Sequence, residues 1–497
     1  MSVPPPTIAA LDLGSNSFHL VVAGLRQGEL RIIDRLREPV RLAAGLGEDR
    51  RIAPDAAARA LACLGRFGQR LRGLPPEAVR AVGTNTLRSA SNAESFLREA
   101  EAVLGHAIEV IAGREEARLI YQGVSHSVED DGRRRLVLDI GGGSTEFIIG
   151  EHHEPLHMES TAMGCVTWTQ THFPTGTIGA KAMARARLAA LMQIEPYQAF
   201  YQGVGWDDAI GTSGTLRAIE RVLRLSGWTQ GGITLAALRR LADTLVKSGR
   251  ADKLPLPGLS ETRQQVFAGG VAIALATFEA LGIDNMHVSD GALREGLLHD
   301  LVGRLRHEDV RARTVAALAT RFGVDALQAA RVERTAVTLW AQVSDAWNLA
   351  DDDARQMLCW AAQLHELGLA VAHSGQHKHA AYILENADLP GFSRQEQTTL
   401  ALMVRGHRRK FPVPLFKQLG GGRAATVARL SALLRLSATL HRSRTPAPLP
   451  PVATAASAGE LHLHFPAGWL DAHPLTRADL AQEADYLKPA GIRLVFA

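Results

Sequence analysis

The sequence predicts an α/β protein of two related lobes, followed by an all-helical domain and a small C-terminal α/β segment. Three observations carry that expectation. An apolar strand, a turn rich in Gly and Ser, and a second apolar strand occupy residues 8–22 and again 136–149, with Asp12 and Asp139 standing 127 residues apart. A second landmark, Gly83-Thr84-Asn85-Thr86-Leu87-Arg88, returns 128 residues on as Gly211-Thr212-Ser213-Gly214-Thr215-Leu216-Arg217, and two such similar offsets indicate a duplication. Beyond about Arg306 the strand patterns stop and long helical periodicities replace them. A chain of 497 residues exceeds what one core serves, and the expected domains are lobes over 1–120 and 121–305, a helical domain over 306–445 and a small domain over 446–497.

In chain order, residues 8–22 read as a hairpin of buried strands, because Val, Ile and Leu flank a turn that glycine permits. Residues 54–74 space Ala57, Leu61, Leu64, Phe67 and Leu71 at helical intervals, and 93–104 form a second helix. A strand over 108–111 and the turn Ala112-Gly113-Arg114 then lead into a helix that opens with Glu115 and Glu116. Acids in a first turn suit the helix dipole. These two also stand at the crossover between the repeats, where an interlobe cleft would lie, so a carboxylate there could act as a general base.

The 136–149 hairpin carries the densest chemistry: Gly141, Gly142 and Gly143, then Ser144 and Thr145, between Asp139 and Glu146. Successive N–H groups in such a turn form an anion-binding concavity, and a neighbouring hydroxyl or carboxylate can hold magnesium on a phosphate. Glycine-rich turns also occur with no ligand. Further on come Met163-Gly164-Cys165-Val166, a helix over 180–193, Ser213-Gly214 at a helix N-terminus suited to anions, and a strand, turn and helix over 286–296. Helices are expected over 312–322, 326–348 and 354–369, then a proline-rich linker over 446–451 and strands over 461–465 and 492–497.

Composition narrows the class. Hydrophobic residues make up 46% and charged residues 21%, as in an ordinary globular protein. No apolar run reaches membrane-spanning length, the nearest being 269–281, and residues 1–6 lack the basic and apolar regions of a secretory signal. Cys63, Cys165 and Cys359 are too scattered for a metal or redox motif, which suggests a reducing cytoplasm. The window 397–459 has no Asp or Glu and a charge of +10, which leaves −6 for the remainder of a chain whose net charge is +4. Such a window suits a polyanion, or a basic face paired with acids from elsewhere. It lacks the interleaved aromatics of a nucleic-acid channel beyond Phe411 and Phe416. Nearby, His365-Glu366, His373, His377, His379 and His407 could ligate a metal, but the scarcity of acids favours anion contacts beside Lys378, Arg408, Arg409 and Lys410.

Taken in order, the turn at 12–17, the loop at 83–88, Glu115-Glu116-Ala117-Arg118, the hairpin tip at 139–146, the loop at 211–215 and the segment 289–296 resemble the motifs of the exopolyphosphatase/guanosine pentaphosphate phosphohydrolase family. The resemblance continues through His365-Glu366-Leu367-Gly368 and His373-Ser374-Gly375 to the C-terminus. It implies the two-lobed actin-like/Hsp70/sugar-kinase (RNase H-like) ATPase fold, a helical domain similar to HD phosphohydrolases, a magnesium (Mg2+) cofactor and a homodimer. The implied reaction is hydrolysis of the terminal phosphate of inorganic polyphosphate, with guanosine pentaphosphate as the alternative substrate. A binding-only sensor and a sugar or acetate kinase are the rivals from other classes. Glu366 stands where HD hydrolases have Asp, which favours a docking role over a metal-dependent site in the helical domain.

On this reading Glu116 deprotonates the attacking water. The terminal phosphate lies against Gly14, Ser15, Asn16 and Ser17 on one side and Gly141, Gly142, Gly143, Ser144 and Thr145 on the other, with Ser213 and Gly214 nearby and Arg88 neutralising charge. Asp139 and Glu146 hold the magnesium, through water. His377, Lys378, His379, Arg408, Arg409 and Lys410 dock the distal part of a polyphosphate chain.

Overall fold

The computed structural model describes residues 7–26, 29–47, 49–253, 256–306, 309–419 and 423–497, so residues 1–6, read above for a signal, lie outside the described part. Two compact units divide the chain at Asp309/Val310.

The first unit contains two sheets of one topology. Strands β1 (Thr7–Leu13), β2 (Phe18–Arg26), β3 (Glu29–Glu38), β4 (Val79–Gly83) and β5 (Ile108–Val110) form a sheet in the order β3-β2-β1-β4-β5. Strands β6 (Arg134–Ile140), β7 (Thr145–Glu151), β8 (Glu154–Thr161), β9 (Asp208–Thr212), β10 (Ile233–Thr234) and β11 (Asn285–Val288) form the second, in the order β10-β11-β9-β6-β7-β8. Read from β8, the second sheet repeats the first with β10 added at its edge. The strand senses agree as well: β1·β2 and β6·β7 are antiparallel, β1·β4 and β6·β9 parallel. This is the duplicated two-lobed α/β architecture the repeat predicted.

The inner strands β1, β6 and β7 are apolar with little alternation because both faces are covered, whereas the edge strands β3 and β8 are polar and partly exposed. Ala9, Leu11 and Leu13 enter the core of the first lobe, while Ile8 and Ala10 enter a core shared between the lobes. Likewise Leu136, Leu138 and Ile140 face the second lobe's core and Val137 the shared one. Side chains alternate along a strand, so Asp12 continues the face of Ile8 and Ala10, and Asp139 that of Val137. The chemistry of both hairpins is therefore aimed between the lobes.

Two helices, Gly113–Ser125 and Leu293–Leu305, fill that shared core. They cross at glycines: a Cβ on Gly296 would lie 1.8 Å from the Leu119 carbonyl oxygen, and one on Gly123 would lie 2.0 Å from that of Ala292. Gly296→Ala should therefore destabilise the protein by about 1–3 kcal/mol in chemical denaturation. At an open helical site the same change stabilises by about 1 kcal/mol, so a stabilised variant would refute the close crossing. The helix Glu261–Leu281 extends the apolar run expected over 269–281 and by length and composition is long enough to cross a membrane, contrary to the sequence expectation. Within the lobe it is a core helix, with 78% of its most apolar stretch buried.

The second unit packs helices Val310–Arg321, Ala326–Val343, Asp352–Leu364, Gln376–Asn386, Arg394–Gly406 and Arg423–Leu440 with a three-stranded sheet of β12 (Ala453–Ala456), β13 (Glu460–His464) and β14 (Arg493–Phe496). Asp325, Asp351 and Ser393 cap three of these helices through their side chains. Leu461, Leu463, Leu480 and Leu494 belong to the same core as Leu433 and Leu436. The C-terminal segment, expected as a domain of its own, thus shares the core of the helical unit.

Candidate active site

Both hairpin turns are anchored by the same device. In the first, Arg41 N and Ala43 N donate to the carbonyls of Asn16 and Ser15, each at 2.9 Å. In the second, Cys165 N and Val166 N donate to the carbonyls of Gly141 and Gly142, each at 2.9 Å. In a trans peptide the C=O and N–H point opposite ways. The N–H groups of Asn16, Ser17, Gly142 and Gly143 are thereby turned away from the anchoring segments, and all four residues line the interlobe cleft. The turns meet closely, since a Cβ on Gly142 would lie 2.9 Å from that of Ser15, and one on Gly143 would lie 2.5 Å from Asn85 Oδ1. Gly14, Ser15, Gly141 and Ser144 complete the two walls, and Thr86 Oγ1 donates to Ser15 Oγ at 2.8 Å.

The floor is a pit of carboxylates. In the register Asp12 faces His19 and Asp139 faces Glu146. Burial and the neighbouring Glu116 charge push the carboxyls of Asp12 and Asp139 up to about 7, and raise Glu146 well above its ordinary range. Glu146 Oε1 accepts from Ser160 Oγ at 2.8 Å. Asp12 Oδ1 and Ser17 Oγ are buried with no hydrogen-bond partner. Glu116 is held by Arg88, whose Nη1 donates to Glu116 Oε2 at 2.6 Å and to the Ile111 carbonyl at 3.0 Å. Glu115, one residue earlier, is committed elsewhere. It receives two 2.8 Å hydrogen bonds from Arg118, which with Arg80 also grips the buried Asp300.

The same cleft is lined by a basic rim of Arg37, Arg217, Arg263 and Arg294. Arg294 Nη1 donates to His19 Nδ1 at 2.6 Å. Burial and the four arginines push His19 down to about 2, so its ring is neutral and accepts that bond at Nδ1. Burial and mutual repulsion also lower Arg37 and Arg263. Neither pairs with a carboxylate within 4 Å among the described residues, which leaves their charge for an anion.

Several sequence expectations change. Thr145 is fully buried and donates its hydroxyl to the Met163 carbonyl at 2.5 Å, because it sits one residue before Glu146 and so faces the second lobe's core, not the cleft. Arg88 holds Glu116 and does not line the cleft, whereas Arg37, Arg217, Arg263 and Arg294 do. Ser213, at a left-handed φ of 81°, gives its hydroxyl to the Ile140 carbonyl at 3.0 Å. Gly214 makes room for Arg263, since a Cβ there would lie 1.7 Å from Arg263 Nη2.

In the helical unit, His377 is buried and pushed down to about 4, chiefly by burial and then by nearby arginines, so it offers no charge to a polyanion. His379 is half-buried with Nε2 3.2 Å from the Ser374 carbonyl, and Lys378 is exposed. Of the basic window, Arg435 pairs with Glu483, Arg442 with Asp479, and Arg444 with Asp325 and Glu366. Part of that charge is internal, and Arg408, Arg409 and Lys410 remain towards the surface. Among the described residues no three His, Cys, Asp or Glu side chains are grouped to hold a metal directly.

Sequence reasoning missed Asp12 as a site residue, although its alignment with Asp139 was a signal. It missed Arg217 despite the shared Thr-Leu-Arg ending of the two loops, and it missed His19, Arg37, Arg263 and Arg294, which only the fold assembles.

A profile described as the Ppx/GppA phosphatase family matches residues 21–305, and one described as Ppx/GppA phosphatase, domain III, matches 310–484. A guanosine-5'-triphosphate,3'-diphosphate pyrophosphatase of Aeromonas hydrophila is 39% identical over 486 residues, 98% of each chain. The protein of that name in Vibrio cholerae is 40% identical over 486 residues, 97% of each. An exopolyphosphatase from Cytophaga hutchinsonii has a crystal structure similar to this one with a TM-score of 0.55 at 25% identity, covering 60% of this chain and 97% of that one. An Aquifex aeolicus member of the Ppx/GppA family matches with a TM-score of 0.51 at 26% identity, covering 61% and 98%.

Proposed function

Starting from the chain's membership of the Ppx/GppA phosphatase family, a family of phosphoanhydride hydrolases, we propose that it removes the terminal 5' phosphate of guanosine 5'-triphosphate 3'-diphosphate. The observation that carries this choice is the rim of four arginines in the same cleft as the carboxylate pit. A substrate with a triphosphate on one side of a nucleoside and a diphosphate on the other presents anions to both walls and rim. The near full-length relatives named for that compound point the same way.

In the proposed reaction the turn N–H groups of Asn16, Ser17, Gly142 and Gly143 hold the terminal phosphate oxygens. Glu116 takes a proton from a water placed for in-line attack, and the rim stabilises the anionic leaving group. The pit fits a divalent cation: its donors are hard carboxylate oxygens, Asp12 Oδ1 lacks any protein partner, and burial penalises their negative charge. Asp12 and Asp139, with Glu146 behind them and water between, would hold Mg2+, whose chemistry there is to neutralise developing charge on phosphate oxygens.

The test is phosphate release from guanosine pentaphosphate, long polyphosphate and short polyphosphate at matched concentration, with and without magnesium. Expected are release from the pentaphosphate with the tetraphosphate as product, and loss of activity on chelation. Absence of release from the pentaphosphate would sink the assignment. Inorganic polyphosphate is the second reading, favoured by the structural likeness to an exopolyphosphatase. Arg263→Ala separates them: a charged hydrogen bond is worth about 1.5–3 kcal/mol, so KM for the pentaphosphate should rise roughly 10–100-fold while short polyphosphate is affected less.

A further inference from the structure

The helical unit encloses a cavity of about 490 Å³ within its own fold. At its floor His365 and His407 follow the ends of helices Asp352–Leu364 and Arg394–Gly406, and each uses Nδ1 to donate to a carbonyl three residues back, Ala362 at 2.7 Å and Val404 at 2.6 Å. The rings meet edge to face at 5.4 Å. With Nδ1 carrying the proton, each Nε2 is an acceptor; burial lowers both groups, which keeps the rings neutral. Gln376 lines the same cavity, is 5% exposed, and leaves Oε1 without a hydrogen-bond partner. The floor therefore offers three acceptors and no positive charge.

The rim is of opposite character. Arg444 neutralises Glu366, and Arg442 is tied to Asp479 at 2.5 Å. Arg408 and Arg409 make no ion pair among the described residues. Arg409 is held at a left-handed φ of 65°, and its carbonyl and that of Gly406 both accept from Arg435, a fully buried residue paired with Glu483. Backbone strain maintained by a buried ion pair at a cavity mouth is the mark of a positioned group.

Size and polarity together narrow the occupant. A cavity of this volume suits a small organic molecule. Inorganic phosphate, which carries at most two O–H donors near neutral pH, would satisfy the arginines and leave at least one of the three floor acceptors facing no donor. We propose that this cavity binds a nucleotide-type phosphate ester, its phosphate on Arg408 and Arg409 and its hydroxyl or amino donors on His365, His407 and Gln376.

Hydrogen–deuterium exchange on the full chain tests this, with adenosine and guanosine monophosphate as probes because neither carries an anhydride for the cleft to cleave, and inorganic phosphate alongside. Expected is protection of residues 365–377 and 404–410 by a nucleoside monophosphate, with at least tenfold weaker half-saturation by phosphate alone. Arg409→Gly, which deletes an exposed side chain at a φ glycine adopts freely, and Gln376→Leu should each weaken that half-saturation at least tenfold. Equal protection by inorganic phosphate, protection confined to the cleft segments 12–19 and 139–146, or no protection at all would each overturn the proposal.

Discussion

Glu116→Gln is expected to slow turnover about 10²–10⁴-fold, the usual worth of general-base assistance, while KM stays near the wild-type value. The amide is isosteric and its oxygen can still accept from Arg88, so the side chain keeps its place. What it loses is the ability to take a proton. It also removes one negative charge from a pit where Glu116 raises the carboxyls of Asp12, Asp139 and Glu146, so an anionic substrate should bind no worse. Glu115→Gln is the matched control. That residue pairs with Arg118 in a buried network containing Asp300 and Arg80, and breaking such a pair costs about 3–5 kcal/mol, so its signature is a lowered Tm with kcat largely kept. Near wild-type turnover by Glu116→Gln, or a greater kcat loss in Glu115→Gln, would reassign the base.

The neighbouring positions 115 and 116 show how far a sequence can be read. Both looked like helix-capping acids at an interlobe crossover. Which one faces the cleft is decided by helix phase against a second helix, Leu293–Leu305, distant in the chain. Where the code is local, the reading was good. The 127-residue repeat gave the two lobes, and the two-residue period of β1 and β6 puts Asp12 and Asp139 on the interlobe face. The same period, applied one residue further, removes Thr145 from the site. The basic rim was not legible, because Arg37 at the end of β3 and Arg263 at the start of Glu261–Leu281 share no motif and converge only through the tertiary fold. The basic window left two readings open for a related reason. Its charge count cannot show that Arg435, Arg442 and Arg444 are satisfied by acids outside it.

Gly164→Ala should reduce kcat/KM by roughly 100-fold or more without contact between residue 164 and the substrate. A Cβ there would lie 2.3 Å from both the Gly142 carbonyl carbon and Gly143 N, inside the peptide whose N–H is turned towards the cleft. That peptide is held against the same segment by the hydrogen bond from Val166 N to the Gly142 carbonyl, so the methyl group can be admitted only by moving the turn. A displacement near 1 Å of a positioning group costs on the order of 10²-fold in rate. The strain is local to a turn in the cleft wall, and the core contacts of Leu136, Leu138 and Ile140 do not pass through it. The Tm should therefore fall by only a few degrees, about 1–2 kcal/mol at this scale. On the proposed reaction the turn amides hold the phosphate oxygens more strongly in the transition state than in the ground state, so kcat should fall more than KM rises. An alanine variant with wild-type kcat/KM would mean that the 142–143 amide holds no reacting phosphate, and the catalytic load would then rest on the first turn, where Ser17 and Asp12 keep their unpartnered oxygens.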